Sequence, residues 1–300
     1  MDKWLQAWQK AAPNLTGAYP LPASNQLQLA YKSLHLKRFW MESLMIFAMQ
    51  YGGIILSFML MPVFPLWLAS GSAAVMIFLR GVRILPALWL GSFCAYYFIY
   101  AAPGSAILFA SIFALQAYLL LAISYRYISP TLLFSSKKPF VIFILLVMIV
   151  TALSSLGLTY ITHFNGLQLW LAQLIGILIF AFAPVAWDAY FPQSQGLNNK
   201  DKRVLGACFI ALAGLTIIML LSHLMLTVIL SLVISMGIIW IGRYYGWCAV
   251  TSLWFFFGVC WIFGALLNPP LLMRLSSLEL IVLQAVFAVE MMLCLGATVF

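Results

Sequence analysis

From Trp40 to Phe300 the chain is almost unbroken apolar sequence, with only short polar or basic interruptions. Such a run leaves too little polar surface to coat a water-soluble fold and no room for a soluble catalytic domain. The composition agrees: 65% of the residues are hydrophobic and 7% charged, where a soluble domain is nearer a quarter charged. The solvent of this protein is the bilayer. Only helices and closed barrels satisfy every backbone group in lipid, and runs of about 20 apolar residues have the length of helical spans. The expected fold is an all-α polytopic transmembrane bundle of eight to ten spans.

Ten hydrophobic segments can be drawn, at 40–60, 65–79, 85–101, 105–125, 139–160, 168–187, 204–221, 224–241, 247–266 and 278–298. With the N-terminus inside, the inner breaks receive the tail residues Lys3, Lys10, Lys32, Lys37 and Arg38, followed by Arg80, Arg83, Arg126, Lys137, Lys138, Lys200, Lys202, Arg203 and Arg243. Only Arg274 falls outside. Such an asymmetry predicts a multi-pass protein of a bacterial inner membrane with both termini cytoplasmic. The same asymmetry accounts for the net charge of +9 as topology, with no nucleic-acid partner. The break at Ser222–His223 has two readings, since 204–241 can be a tight hairpin or a bent, partly re-entrant segment.

Residues 1–39 form a cytoplasmic tail ahead of the membrane domain at 40–300. Trp4, Leu5 and Trp8 share one helical face beside Lys3 and Lys10, which suits either a short interfacial helix or a flexible tail. The cysteines, Cys94, Cys208, Cys248, Cys260 and Cys294, all lie in apolar runs without metal-ligand spacing. His163 and His223 have no second ligand at i+3 or i+4, so no metal site is assigned. No catalytic set, phosphate loop or dinucleotide fingerprint occurs, so neither an enzyme nor a cofactor is expected.

The most specific stretch is FPLWLASGSAAVMIFLRGVRILPALWLGSFCAYYF, Phe64 to Phe98. It holds a Trp and small-residue turn, a span, an Arg-Gly-x-Arg turn, a Pro and a Gly-containing span. This layout resembles the MASE1 family, bacterial membrane-associated sensor domains found in front of diguanylate cyclases and histidine kinases. Trp67, Ser70, Gly71, Gly81, Arg83, Pro86, Trp89 and Gly91 stand in the places of that family's pattern. Leu68 and Ala69 replace its prolines. Leu115-Gln116-Ala117 is similar to its Gln-Ala pair, and Trp170 to Gly176 with Pro184 to its Trp-x-x-Gly-Asp-x-x-Gly region, with Gln173 nearest the missing acid. The run LQAVFAV from Leu283 and Gln284 resembles its last span. The resemblance covers roughly residues 40 to 300.

Gln50, Gln116, Gln173, Gln284 and Glu290 are polar groups within the expected hydrocarbon. They face the bundle interior as helix-to-helix hydrogen bonds or as the lining of a pocket. Glu290 is a functional candidate as an intramembrane carboxylate, or a group that reaches the cytoplasmic interface. Trp67, Trp89 and Trp170 read as an aromatic pocket or as interfacial anchors. Candidate ligand-binding residues are therefore Trp67, Ser70, Gly71, Gln116, Trp170, Gln173, Gln284 and Glu290. Arg80 and Arg83 are conformational or topological.

The family resemblance implies a sensor-type domain that binds a small ligand or membrane component among its helices and signals through its cytoplasmic ends. In that family the last span leads into an output module, whereas this chain stops at Phe300, so either a separate signalling partner is expected beside the membrane lipids or the output has been lost. Two other readings stay open: a substrate-binding subunit of a transporter, and a membrane scaffold subunit.

Overall fold

The computed structural model describes residues 25–60, 67–127, 137–181, 199–220, 224–267 and 276–299. All the regular structure among them is helical: α1 (Asn25–Leu60), α2 (Leu68–Arg80), a 3-10 turn (Val82–Ile84), α3 (Leu85–Tyr100), α4 (Pro103–Tyr127), α5 (Lys137–Thr162), α6 (Gly166–Phe180), α7 (Asn199–Leu220), α8 (Leu224–Leu267) and α9 (Ser277–Val299). The chain divides into two units, Met1–Leu44 and Met45–Phe300. In the first, helix begins at Asn25, so the stretch expected as tail up to residue 39 is helical over its second half. Trp4, Leu5, Trp8, Pro184 and His223 lie outside the described residues.

Six of the apolar helical stretches are long enough to cross a membrane, namely Phe39–Met59, Val82–Tyr100, Pro103–Ser124, Lys138–Thr162, Leu226–Tyr245 and Leu278–Ala297. Leu68–Arg80, Gly166–Phe180, Arg203–Ile218 and Cys248–Ile262 are shorter apolar helices. The fold is a multi-pass membrane bundle, and α5 shows why. Leu145, Ile149, Leu153, Leu156 and Tyr160 form one exposed stripe at helical spacing, while Thr151, Ser154 and Ser155 are buried on another face. Water would favour the reverse arrangement, and lipid favours this one.

Within Met45–Phe300, α2 packs between α4 and α6, α3 against α4, α5 against α4 and α6, and α9 against α6 and α8. The breaks have local causes. Gly81 holds φ +72, a conformation strained for any residue with a β-carbon, and its N–H closes onto Ile77 O at 2.9 Å. It stops α2 and lets the chain turn into α3 within a few residues. His163 takes a left-handed φ of 59 and caps α5, with its N–H on Thr159 O. Asn165 then accepts from the N–H groups of Leu167 and Gln168 to start α6. His163 thus has a chain-reversing role, and the described residues hold no group of side chains arranged for a metal. A capping box starts α9: Ser276 N and Oγ both bond Glu279 Oε2, and Glu279 N returns to Ser276 Oγ.

The break expected between 241 and 247 falls inside one run of helical residues, Leu224–Leu267. A straight helix of that length would measure about 66 Å and place Ser231 about 45 Å from Trp261. Ser231 bonds Glu290, however, while Phe257 and Trp261 both pack on Phe287, one helical turn away on α9. Cys294 lies beside both Ser235 and Trp254. The helical run therefore doubles back between Ser235 and Trp254, and its two arms flank α9. The expected segments 224–241 and 247–266 are those two arms, which correspond to the separate apolar stretches Leu226–Tyr245 and Cys248–Ile262; the reversal interrupts the single-axis ladder of a straight helix.

Candidate functional site

Helix α2 begins inside the bundle. Its first flanking residue, Trp67, is fully buried, and the Trp67 N–H donates to Ala172 O, halfway along α6, at 2.9 Å. Two glycines permit this. A β-carbon on Gly176 would collide with Trp67 O, and one on Gly71 with Gly176 O, so the helices touch backbone to backbone as small-residue crossings in membranes do. Trp67 meets Ala172 and Gly71 meets Gly176, an equal step of four residues on each side, so α2 and α6 run parallel here. The first and third stretches of the family-like pattern are thereby one physical contact.

No side chain caps the start of α2, and buried polar groups gather around it. The Trp67 ring stacks on Phe113 of α4, with 6.2 Å between centroids. Ser70 and Gln116 follow one turn later on their respective helices. Gln116 Nε2 donates to Gln173 Oε1 at 3.0 Å, and Ser154 Oγ of α5 donates to the same oxygen at 2.7 Å. Four atoms of this group are buried without a protein partner: Trp67 Nε1, Ser70 Oγ, Gln116 Oε1 and Gln173 Nε2. Native proteins pair nearly all such atoms, and an orphan costs about 1–3 kcal/mol.

A second polar junction is fully paired. Gln50 of α1 donates to Ser92 of α3 and accepts from Ser72 of α2, both at 3.1 Å. Beside it, a β-carbon on Gly91 would approach Phe47 O to 2.9 Å.

A third lies between α8 and α9. Glu290 is 4% exposed, so its carboxylate does not reach the protein surface. Ser231 Oγ reaches Oε1 at 2.8 Å and Ser235 Oγ reaches Oε2 at 3.0 Å.

The remaining candidates are dispersed. Gln284 is fully buried with neither amide atom partnered, so no hydrogen bond joins it to Gln116 or Gln173. Trp170 is half-buried and donates to Met148 O and Thr151 Oγ1 at 3.0 and 3.1 Å. Trp89 bonds Ser111 and stacks on Phe93. The three tryptophans therefore share no aromatic pocket. Trp67 is neither an interfacial anchor nor a neighbour of the other two: it belongs to a cluster with Phe58 and Phe113. Arg83 is exposed and Arg80 half-buried on either side of Gly81, at the far end of α2 from the buried polar group.

Sequence reasoning missed Ser154, Ser231 and Ser235. The last two stand four apart in an otherwise apolar run, which places them on one helix face; that spacing is the signal that was available. Nothing in the sequence marks which carboxylate that face meets. No family model, curated protein or solved structure matches the chain.

Proposed function

We propose that this bundle is a sensor-type membrane domain of the MASE1 kind, which binds a small ligand or membrane component among its helices and passes the bound state to a signalling partner. One observation carries the reading: the four unpartnered atoms of Trp67, Ser70, Gln116 and Gln173 beside the uncapped start of α2. Three of these groups are donors, the Trp67 indole Nε1–H, the Ser70 O–H and the Gln173 amide N–H, while Gln116 Oε1 accepts. The free N–H groups and positive dipole end of α2 point the same way. The ligand that suits them carries an acceptor-rich or anionic end, such as a carboxylate, and one donor. For the signal to leave the site, that ligand must bind one packing of α2 on α6 better than another.

Native mass spectrometry of the detergent-extracted protein tests this. A small molecule should co-purify with the wild type and be lost from the Gln116→Leu/Gln173→Leu double variant; equal occupancy of both proteins would remove the site. The start of α2 within the bundle also favours the transport reading, because transporters build substrate sites at the buried ends of broken helices. Vesicle uptake of the co-purified compound, abolished by the same double variant, would favour transport over sensing.

A further inference from the structure

Glu290 and its two serines form a site separate from the proposed ligand site, and their hydrogen inventory is informative. Ser231 Oγ lies 2.8 Å from Glu290 Oε1 and also 2.8 Å from Val228 O, its own helix carbonyl one turn back. A hydroxyl has a single hydrogen, so it gives a full bond to one of the two acceptors or a weaker, shared bond to both. If the hydrogen points to Glu290, the carboxylate is the acceptor. If it points to Val228 O, the short contact to Oε1 requires a hydrogen on the carboxyl, donated to the Ser231 lone pair. In either case Ser235 Oγ can donate to Oε2.

We propose that Glu290 is a proton-binding site of the membrane bundle, with the Ser231 hydroxyl turning between Glu290 and Val228 O as the proton leaves and arrives. The proton exchanges with bulk water, and no other bond changes. A metal ion does not suit the place. The serine and carboxylate oxygens are already at hydrogen-bond distance from one another, which leaves no gap for a coordinated cation. The groups acting on Glu290 are the hydroxyls of Ser231 and Ser235. Of the titratable groups on the elements packed around it, Cys294 lies one turn further along α9 and interacts with Glu290. Lys137, Lys138 and Tyr160 stand near the ends of α5, and α8 carries Arg243, Tyr244, Tyr245, Cys248 and Cys260. Helix α6 carries none. An ionised carboxylate held by two hydroxyls in lipid is costly, and binding a proton removes that cost. Protonation then resets the hydrogen bond that ties the first arm of α8 to α9.

Infrared spectroscopy of the whole protein in lipid nanodiscs reads the proton directly. The expected result is a protonated-carboxyl C=O band near neutral pH that shifts in deuterium oxide, disappears in Glu290→Gln, and moves in Ser231→Ala, where the carboxyl loses its acceptor. Glu290→Gln keeps the side-chain shape, and Ser231→Ala leaves the carboxyl in place should the first variant fold poorly. The proposal is overturned if no band responds to either variant, or if the band appears only after sodium is removed, which would make the occupant a metal cation.

Discussion

The crossing of α2 on α6 and the contact of α8 with α9 both bury polar groups in an apolar bundle, and they do so in opposite ways. At the first, two glycines bring backbones together around a helix start, and four side-chain atoms stay unpaired. At the second, aromatic rings of Phe257 and Trp261 close on Phe287, and the buried carboxylate has a hydroxyl for each oxygen. The unsatisfied junction is suited to an external molecule that supplies the missing partners. The satisfied one already gives each carboxylate oxygen a partner.

The largest expected effect comes from the backbone contact. Gly176→Ala forces Trp67 O away and should destabilise the bundle by more than about 3 kcal/mol, with loss of a monodisperse peak in gel filtration. A variant that keeps wild-type thermal stability would mean that the glycine contact does not hold the start of α2. Next, Glu290→Leu should cost about 1–2 kcal/mol, because it deprives the buried Ser235 hydroxyl of its acceptor, while Ser231 keeps Val228 O. Denaturant or thermal titration in detergent reads this.

The ligand-free Gln116→Leu/Gln173→Leu variant should move the other way, gaining about 1 kcal/mol, because it removes orphaned atoms and leaves Ser154 bonded to Thr151 O. If this variant and Glu290→Leu lose stability alike, the contrast between the junctions fails. The smallest effect belongs to Gly258→Ala, below about 1 kcal/mol. Its β-carbon would meet side chains and no backbone, the nearest atom being Ile179 Cγ2 at 2.7 Å, with Ile179 Cδ1 and Phe180 Cζ at 3.4 and 3.5 Å, so a small shift of Ile179 relieves it. A loss as large as that of Gly176→Ala would show that the approach of Gly258 to Ile179 is equally rigid.

Much of the scaffold was legible in advance because lipid imposes a one-dimensional rule. Apolar runs must become helices, and polar residues within them must turn inward, as Gln50, Gln116, Gln173, Gln284 and Glu290 all do. The Arg80-Gly81 turn was equally readable, since glycine is the residue that can end α2 at φ +72. The tryptophans were not. Trp67 and Trp170 have the same side chain, yet one is sealed against Phe113 and the other bonds Met148 O, a difference set by neighbours more than twenty residues distant in sequence. The break near Arg243 was readable: a polar interruption in an apolar run marks where the chain can reverse, and the chain doubles back between Ser235 and Trp254.

By itself, then, the sequence determined the solvent, the secondary structure and the set of polar residues that had to be buried, because each follows from the hydrogen-bonding poverty of a bilayer. Tertiary structure alone decided which of those residues meet. Gln116 finds Gln173 and Glu290 finds two serines because glycine crossings and a helical reversal bring distant stretches into register, and no local pattern encodes that choice of partner.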